Sequence, residues 1–326
     1  MTKVTLRVLA EETGLSKFAV SRALAGKSGV SEATRTRVLE AAERLGYRLP
    51  DAPRASVLGV IFDDRDHFNA ELNMQIQSGL QSEAAQLGYG IRVHWMQHGE
   101  EFEHLLESCS GLLAVNIHGD ADLERLRAWG RPVVRSGWID PLEPVDTVSG
   151  TDHEAGAAAA RALLELGHRE IAYVHGSENL RGRWERLYGL REVVEATPGA
   201  RYHHIKWSPP HGFAQCLDDL LGTGIRPTAF FCAHDGLALT VVTDLLRRGC
   251  QIPEHASVMG FGDFSAAQLI QPALTTIRTP GRKIGMAAVR LLDARIRIPD
   301  WVQGPVRLMI PNEFVRRSST GPAPAF

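Results

Sequence analysis

The chain has 326 residues, 44% hydrophobic and 23% charged, with a formal net charge of −2. That length exceeds what one hydrophobic core usually serves, so two or three domains are expected, and the composition is globular, not disordered or fibrous. No apolar run reaches the roughly 18 residues of a membrane span and the first residues lack the layout of a secretory signal, so a cytoplasmic protein with no membrane partner is expected.

The charge is uneven. Residues 1–50 carry nine Lys/Arg against five Asp/Glu, which leaves 27 against 33 for the rest. A small basic head on an acidic body suits a polyanion-binding module joined to something else. In "LRVLAEETGLSKFAVSRAL", Leu6, Leu9 and Ala10 fall at helical spacing, and Gly14 ends that helix where a left-handed turn is favoured. Ser16 caps a second helix with an inward stripe of Ala19, Val20, Ala23 and Leu24, and Ser31 caps a third, "EATRTRVLEAAERLG". This is the layout of a helix-turn-helix, whose second helix enters the major groove. Its outward residues are Lys17, Phe18, Ser21 and Arg22. Arg22 suits a bidentate contact to guanine, Lys17 a base edge or phosphate, and Phe18 a thymine methyl group. Thr5, Ser16, Ser21 and Ser31 supply hydroxyls to the DNA backbone. The competing reading is a plain three-helix bundle with a solvated face.

Residues 4–50 as a whole, "VTLRVLAEETGLSKFAVSRALAGKSGVSEATRTRVLEAAERLGYRLP", resemble the DNA-binding head of the lactose/galactose repressor (LacI/GalR) family. The resemblance implies a homodimer whose two heads read a near-palindromic double-stranded operator, with a body that senses a small molecule. Two departures stand out. After "GYRPN" the family forms a short hinge helix whose leucine wedges into the minor groove; here "RLPDAPRASV" carries Pro50 and Pro53 and no Leu or Ile beyond Leu49, so that helix and wedge are expected to be absent. Ala19 and Ala25 stand where the family often has hydrogen-bonding side chains.

From residue 57, strand-like runs alternate with helical stretches. "VLGVIF", "IRVHW", "GLLAVNI", "PVVRSG" and "TVSGTD" are followed by "EIAYVHG", "YHHIKW", "TAFFCAHD", "SVMGFG" and "LTTIRTP". Such alternation predicts parallel sheets covered by helices on both faces, in two similar halves. Ligands of open parallel sheets bind beyond the carboxyl ends of the strands. The candidates are therefore Asp63, Asp64 and Asp66, Asn116 and His118, Ser136 and Trp138, Asp152, then His175, Trp207, His234, Asp235, Gly262 and Asp263.

"ARALLELGHREIAYVHG", "RWERLYGLRE" and the stretch from "PTAFFCAHDG" to "LTTIRTP" resemble the effector-domain signatures of the same family. The resemblance makes Arg186 the arginine that grips effector hydroxyls or carboxylates, Asp235 the usual acidic residue and Trp207 the aromatic that stacks on a sugar ring. "GFGD" departs from "GFDD" at Gly262, and His234 stands where Asn is common, which argues against an ordinary neutral hexose. Each residue also has a structural reading: Arg186 as partner of a carboxylate, Trp207 as core, Asp235 as a helix cap. The resemblance implies a sugar or sugar derivative as effector, and Arg183, Arg186, His175 and His234 would make one wall cationic, which suits an anionic one such as a sugar acid, phosphosugar or nucleotide-like molecule.

Taken together, the expected fold class is α/β: an N-terminal three-helix helix-turn-helix head (1–49), a short linker (50–56), and a two-lobed periplasmic-binding-protein-like body of two doubly wound parallel sheets (57–317), followed by a disordered tail (318–326). The first lobe is expected over 57–150 plus 280–298 and the second over 151–279 plus 299–317. The helix from Asn69 to Leu87 and "GRKIGMAAVRLLDARI" are the expected homodimer seam. No cofactor and no metal are expected: the cysteines are scattered, and His94 and His98 begin in a strand, where that spacing does not converge. No P-loop or G-x-S-x-G motif occurs, and no catalytic constellation is in place, so the chain reads as a non-enzymatic regulator. The alternative is a small-molecule-binding protein whose head no longer reads DNA sequence.

Overall fold

A computed structural model describes residues 6–24, 30–45, 57–63, 69–95, 101–117, 120–176, 180–208, 210–298 and 302–325. The chain falls into two compact units, residues 1–57 with 88–90 and residues 58–87 with 91–326. The expected linker over 50–56 lies outside the described residues, as does the hinge question that goes with it.

The first unit holds α1 (Leu6–Thr13), α2 (Lys17–Leu24) and α3 (Glu32–Arg44). Leu9, Val20, Ala23, Val38, Ala41 and Ala42 form its core, all from the inward stripes. Gly14 has φ 65° and lets the chain turn between α1 and α2, a conformation that a side chain would penalise. Ser16 Oγ then accepts the Ala19 N–H at 3.1 Å, and Ser31 Oγ accepts the Thr34 N–H at 3.3 Å, so both serines cap as the sequence suggests. Arg37 donates to the Thr13 carbonyl at 3.1 Å and fastens α3 to the end of α1.

The body begins with β1 (Val57–Phe62), α4 (Ala70–Leu87), β2 (Gly90–Trp95), α5 (Glu101–Ser108), β3 (Gly111–Val115), α6 (Asp120–Ala128), β4 (Val133–Ser136) and β5 (Asp146–Gly150). It crosses into α7 (Asp152–Glu165), β6 (Glu170–Gly176), α8 (Arg181–Glu195), β7 (Arg201–Lys206), α9 (Phe213–Gly222), β8 (Ala229–Cys232), α10 (Asp235–Arg247), β9 (Ser257–Met259), α11 (Ser265–Leu269) and β10 (Thr276–Arg278). The chain returns through α12 (Gly281–Arg297) and β11 (Arg307–Ile310) and ends with β12 (Glu313–Val315). One sheet has the order β11-β5-β4-β3-β1-β2, the other β7-β6-β8-β9, and β10 pairs antiparallel with β12. The strands are continuous apolar runs, VLGVIF and GLLAV in the first sheet and AFFC in the second, as sheets buried on both faces require. No helix among the described residues is long and apolar enough to cross a membrane.

Two boundaries differ from the sequence reading. Residues 299–317 were expected in the second lobe, but β11 pairs in parallel with β5, Arg307 beside Thr147 and Ile310 beside Gly150, so the first sheet keeps the chain until Ile310. The tail expected to be disordered is pinned instead: Ser319 Oγ donates to the Val258 carbonyl at 2.6 Å and accepts the Thr275 N–H at 2.8 Å, while Ala323 N–H donates to Leu166 at 2.8 Å. Buried donors and acceptors along residues 257–275 take up the tail's polar groups and offset its ordering entropy. The helices expected at a homodimer seam, α4 and α12, pack against each other within the chain.

Candidate functional site

On the head, Lys17 and Phe18 stand exposed on α2, Phe18 with 71% of its surface in water. Arg22, one turn on, lies with its guanidinium carbon 5.4 Å from the Phe18 ring centroid. An aromatic ring this exposed serves no core, and with a guanidinium beside it the face offers a base-edge donor and an apolar surface together. Capping uses an acceptor lone pair of Ser16 and leaves its O–H to a phosphate, whereas the Ser31 hydroxyl also shares a hydrogen bond with Thr34 Oγ1 at 2.7 Å. The Ser21 side chain and Thr5 lie outside what the structure describes.

In the body, a cleft lies between the carboxyl ends of the two sheets. Asn116, Ser136 and Trp138 line it from the first lobe, and Asp152, Arg183, Arg186 and His234 from the crossover and the second lobe. Its centre is Asp152, the first residue of α7. Arg186 donates to Asp152 Oδ2 through Nε at 3.1 Å and Nη2 at 2.9 Å, and Trp138 Nε1 donates to the same oxygen at 2.9 Å. Asn312 Nδ2 reaches Asp152 Oδ1 at 3.3 Å from the segment between β11 and β12. Arg186 further donates to the Ala233 carbonyl and lies 3.5 Å over the Phe261 ring. This geometry depends on close helix packing: a Cβ at Gly156 of α7 would strike the Arg186 backbone, and one at Gly189 of α8 would strike His153.

The other expected effector residues are used differently. His234 lines the cleft and caps α10, its Nδ1 accepting the Leu237 N–H at 3.3 Å. Burial, with help from Arg183 and Arg186, pulls its pKa down to about 3, so it is neutral at pH 7. With Arg186 matched by Asp152 and His234 neutral, the wall expected to be cationic carries less charge than the sequence suggests. Asp235 does not line the cleft and does not cap the helix: it accepts from Thr276 Oγ1 at 2.6 Å and from the Phe264 N–H at 2.8 Å. Burial raises its pKa to about 6. Asp263 sits in an ion-pair knot with Arg278 and Arg317, Trp207 packs on the core of the second lobe, and Asp63 is buried behind β1; none of the three lines the cleft. Asp64, Asp66 and His118 lie outside the described residues.

The sequence reading missed Asn69, Leu180, Gly182 and Thr279, which also line the cleft. Asn69, Leu180 and Thr279 sit between a strand and the next helix, and Gly182 lies in the first turn of α8. Extending the strand-end rule through to the first turn of that helix would have found them.

The sequence pattern of the bacterial regulatory proteins of the lacI family matches residues 5–49, and that of a periplasmic binding protein-like domain matches residues 160–320. The chain thus joins a lacI-family head to a periplasmic-binding-protein-like body. Catabolite control protein A of Priestia megaterium is 29% identical over 310 residues, covering 89% of this chain and 91% of its own. Among solved structures, a complex of the transcriptional regulator CelR with cellobiose superposes with a TM-score of 0.68 at 28% identity, over 97% of this chain and 99% of that one. The lac repressor dimer bound to operator and the anti-inducer ONPF gives 0.70 at 26% identity, over 98% and 100%. These relatives are transcriptional regulators.

Proposed function

We propose that this chain is a sequence-specific DNA-binding transcriptional repressor, acting as a homodimer, whose operator affinity is set by a small sugar-class effector held between the two lobes of the body. The observation that carries the reading is the second helix of the helix-turn-helix: Lys17 and Phe18 in water, and Arg22 stacked on Phe18, on the face that such a head presents to the major groove. A repressor acts where the DNA is, so a cytoplasmic location goes with it, and the reading includes no catalytic step.

The cleft supports the effector half of the proposal. Its free volume is about 90 Å³, below the roughly 300 Å³ or more of ordinary small-molecule sites. The lobes therefore separate or slide for a sugar to enter, and the Asp152 hub is what has to yield. Carboxylate, guanidinium and the amides of Asn69 and Asn116 suit hydroxyl groups, and Trp138, not Trp207, offers the indole at the cleft. The effector is a sugar or sugar derivative, for which a cleft lined by Asp152, Arg183, Arg186, Asn69 and Asn116 supplies both donors and acceptors. Differential affinity for the open and closed arrangements would then change how the two heads meet the operator.

The test is a binding selection from random duplex DNA with full-length protein at near-physiological salt, where nonspecific phosphate binding falls away. Enrichment of an inverted repeat is expected. No enriched motif, with or without added sugars, would move the reading to a small-molecule-binding protein whose head no longer reads sequence.

A further inference from the structure

At the opposite end of the first sheet from the cleft, a groove of about 620 Å³ opens between the end of α6, the residues that lead into β4 and β5, and the end of α12. Four guanidinium groups line it, Arg127, Arg131, Arg135 and Arg295, against two carboxylates, Glu143 and Asp146.

Part of this is ordinary construction. Arg127 and Arg295 lie in the last turns of α6 and α12, where a cation complements the helix carboxyl end. Arg295 binds Asp146 through Nε at 2.7 Å and Nη2 at 2.8 Å. Arg135 and Glu143 form a buried pair at 2.6 Å, with Arg135 Nη2 also on the Ile117 carbonyl at 2.8 Å.

The remainder is not accounted for by these pairings. Glu143 is shared, because Arg127 Nη2 reaches the same carboxylate at 2.9 Å with half of its side chain in water. Burial pushes the Glu143 carboxyl up, but Arg135 and Arg127 outweigh it and hold it below the usual range, so one anion serves two cations. Arg131 belongs to no helix. It donates to the Cys109 carbonyl and lies 5.4 Å over the Trp129 ring, and it has no carboxylate partner among the described residues. Among the described residues the groove thus holds a surplus of two positive charges, on Arg127 and Arg131 at its rim.

We propose that this groove is a second ligand site, separate from the effector cleft, for a small phosphate-bearing molecule of sugar-phosphate or nucleotide size, with the phosphate held by Arg127 and Arg131. Planar guanidinium forks match phosphate oxygens two at a time, which a lysine rim would not do. The volume lies within the range of small-molecule sites. The carboxylates set into the floor repel a continuous polyanion and leave the rim to a compact one.

The experiment is a titration of inorganic pyrophosphate into full-length protein near physiological salt, followed by heat and by tryptophan fluorescence. Saturable binding at one site per chain is expected. Arg131→Gln, an exposed change that leaves the melting temperature in place, should weaken it about tenfold, Trp129→Phe should remove the fluorescence change, and the cleft variant Asn69→Ala should leave the affinity as it was. The proposal is overturned by an absence of saturation, by binding that survives both Arg127→Gln and Arg131→Gln, or by binding that Asn69→Ala abolishes. It is also overturned if the arginine variants weaken binding to non-operator duplex DNA and leave pyrophosphate untouched, which would assign the rim to the DNA backbone.

Discussion

Arg186 and Asp152 are bound to each other through two N–H donors on one carboxylate oxygen, their side chains only 16% and 4% exposed. Asp152 comes two residues after the end of β5, where the chain crosses from one sheet to the other, and it also holds Trp138 and Asn312, so the pair ties both lobes to the crossover. Truncation of either partner leaves the other charge buried and unpaired. Asp152→Ala and Arg186→Ala should each cost about 3 kcal/mol, and the double variant should cost clearly less than the sum. Urea unfolding of the four proteins measures this, and additive losses would show that the pair is not coupled.

How far the site was legible follows from the same pair. Arg186 falls more than one turn into the helix after a strand, beyond the reach of strand-end reasoning, and the family resemblance alone found it. Its partner lies 34 residues away across two helices, and that contact exists only because Gly156 and Gly189 let α7 and α8 touch. The head was readable almost completely, since Gly14, Ser16 and Ser31 act through local rules of turn and cap. The tail was misread because "GPAPAF" has no periodicity, and what pins it is a set of single hydrogen bonds to residues 166 and 257–275. Strand β11 was missed because it is a four-residue edge strand with an alternating half-exposed pattern, and nothing local states which lobe it joins.

Acid should unfold the body through His234. Its folded pKa of about 3 lies below the ordinary value of 6.5, so the unfolded chain takes up the proton first. Stability is complete above about pH 6.5 and falls as the pH drops toward 3. By linkage the loss at pH 4 relative to pH 7 is on the order of 3 kcal/mol. Asp235 opposes it: with a folded pKa raised to about 6, it adds stability as the pH falls from 6 toward 4. His234→Asn, which keeps a capping side chain, should flatten the acid limb of the stability profile, and Asp235→Asn should steepen it. Chemical denaturation at several pH values reads both, and identical profiles for wild type and His234→Asn would refute the assignment.

The pinned tail predicts a cost for cutting it. Ser319 is fully buried, its hydroxyl makes two hydrogen bonds, and Gly321 meets both His168 and Ser257. Ser319→Ala strands a buried carbonyl and a buried N–H at about 1–3 kcal/mol, and removal of residues 319–326 should cost more. Thermal unfolding measures both. An unchanged melting temperature on truncation would restore the disordered tail.

On the recognition helix, Phe18→Ala should leave the fold intact, because that ring is 71% exposed. The expected change lies in specificity: loss of a thymine preference at one position of each half-site, worth about 1–3 kcal/mol of discrimination. Lys17→Ala should weaken binding more evenly across sequences if Lys17 meets a phosphate, and would then lower the salt slope by about one. Binding selections and salt titrations of the two variants separate base contact from backbone contact.

The linker bears on how the DNA is shaped. Residues 50–56, "PDAPRAS", carry two prolines and no large apolar residue, so the expectation from the sequence is that they supply neither a hinge helix nor a wedge at the operator centre. Insertion of an apolar wedge is what unstacks a base step and produces a kink of tens of degrees. Without it the operator should stay straighter, and the central base pairs should be read weakly, since no deformation energy depends on them. Fluorescence energy transfer between the ends of a bound operator duplex gives the bend, and comparison with a relative that carries the wedge supplies the reference. A bend as large as that relative's would mean that another part of this chain deforms the DNA.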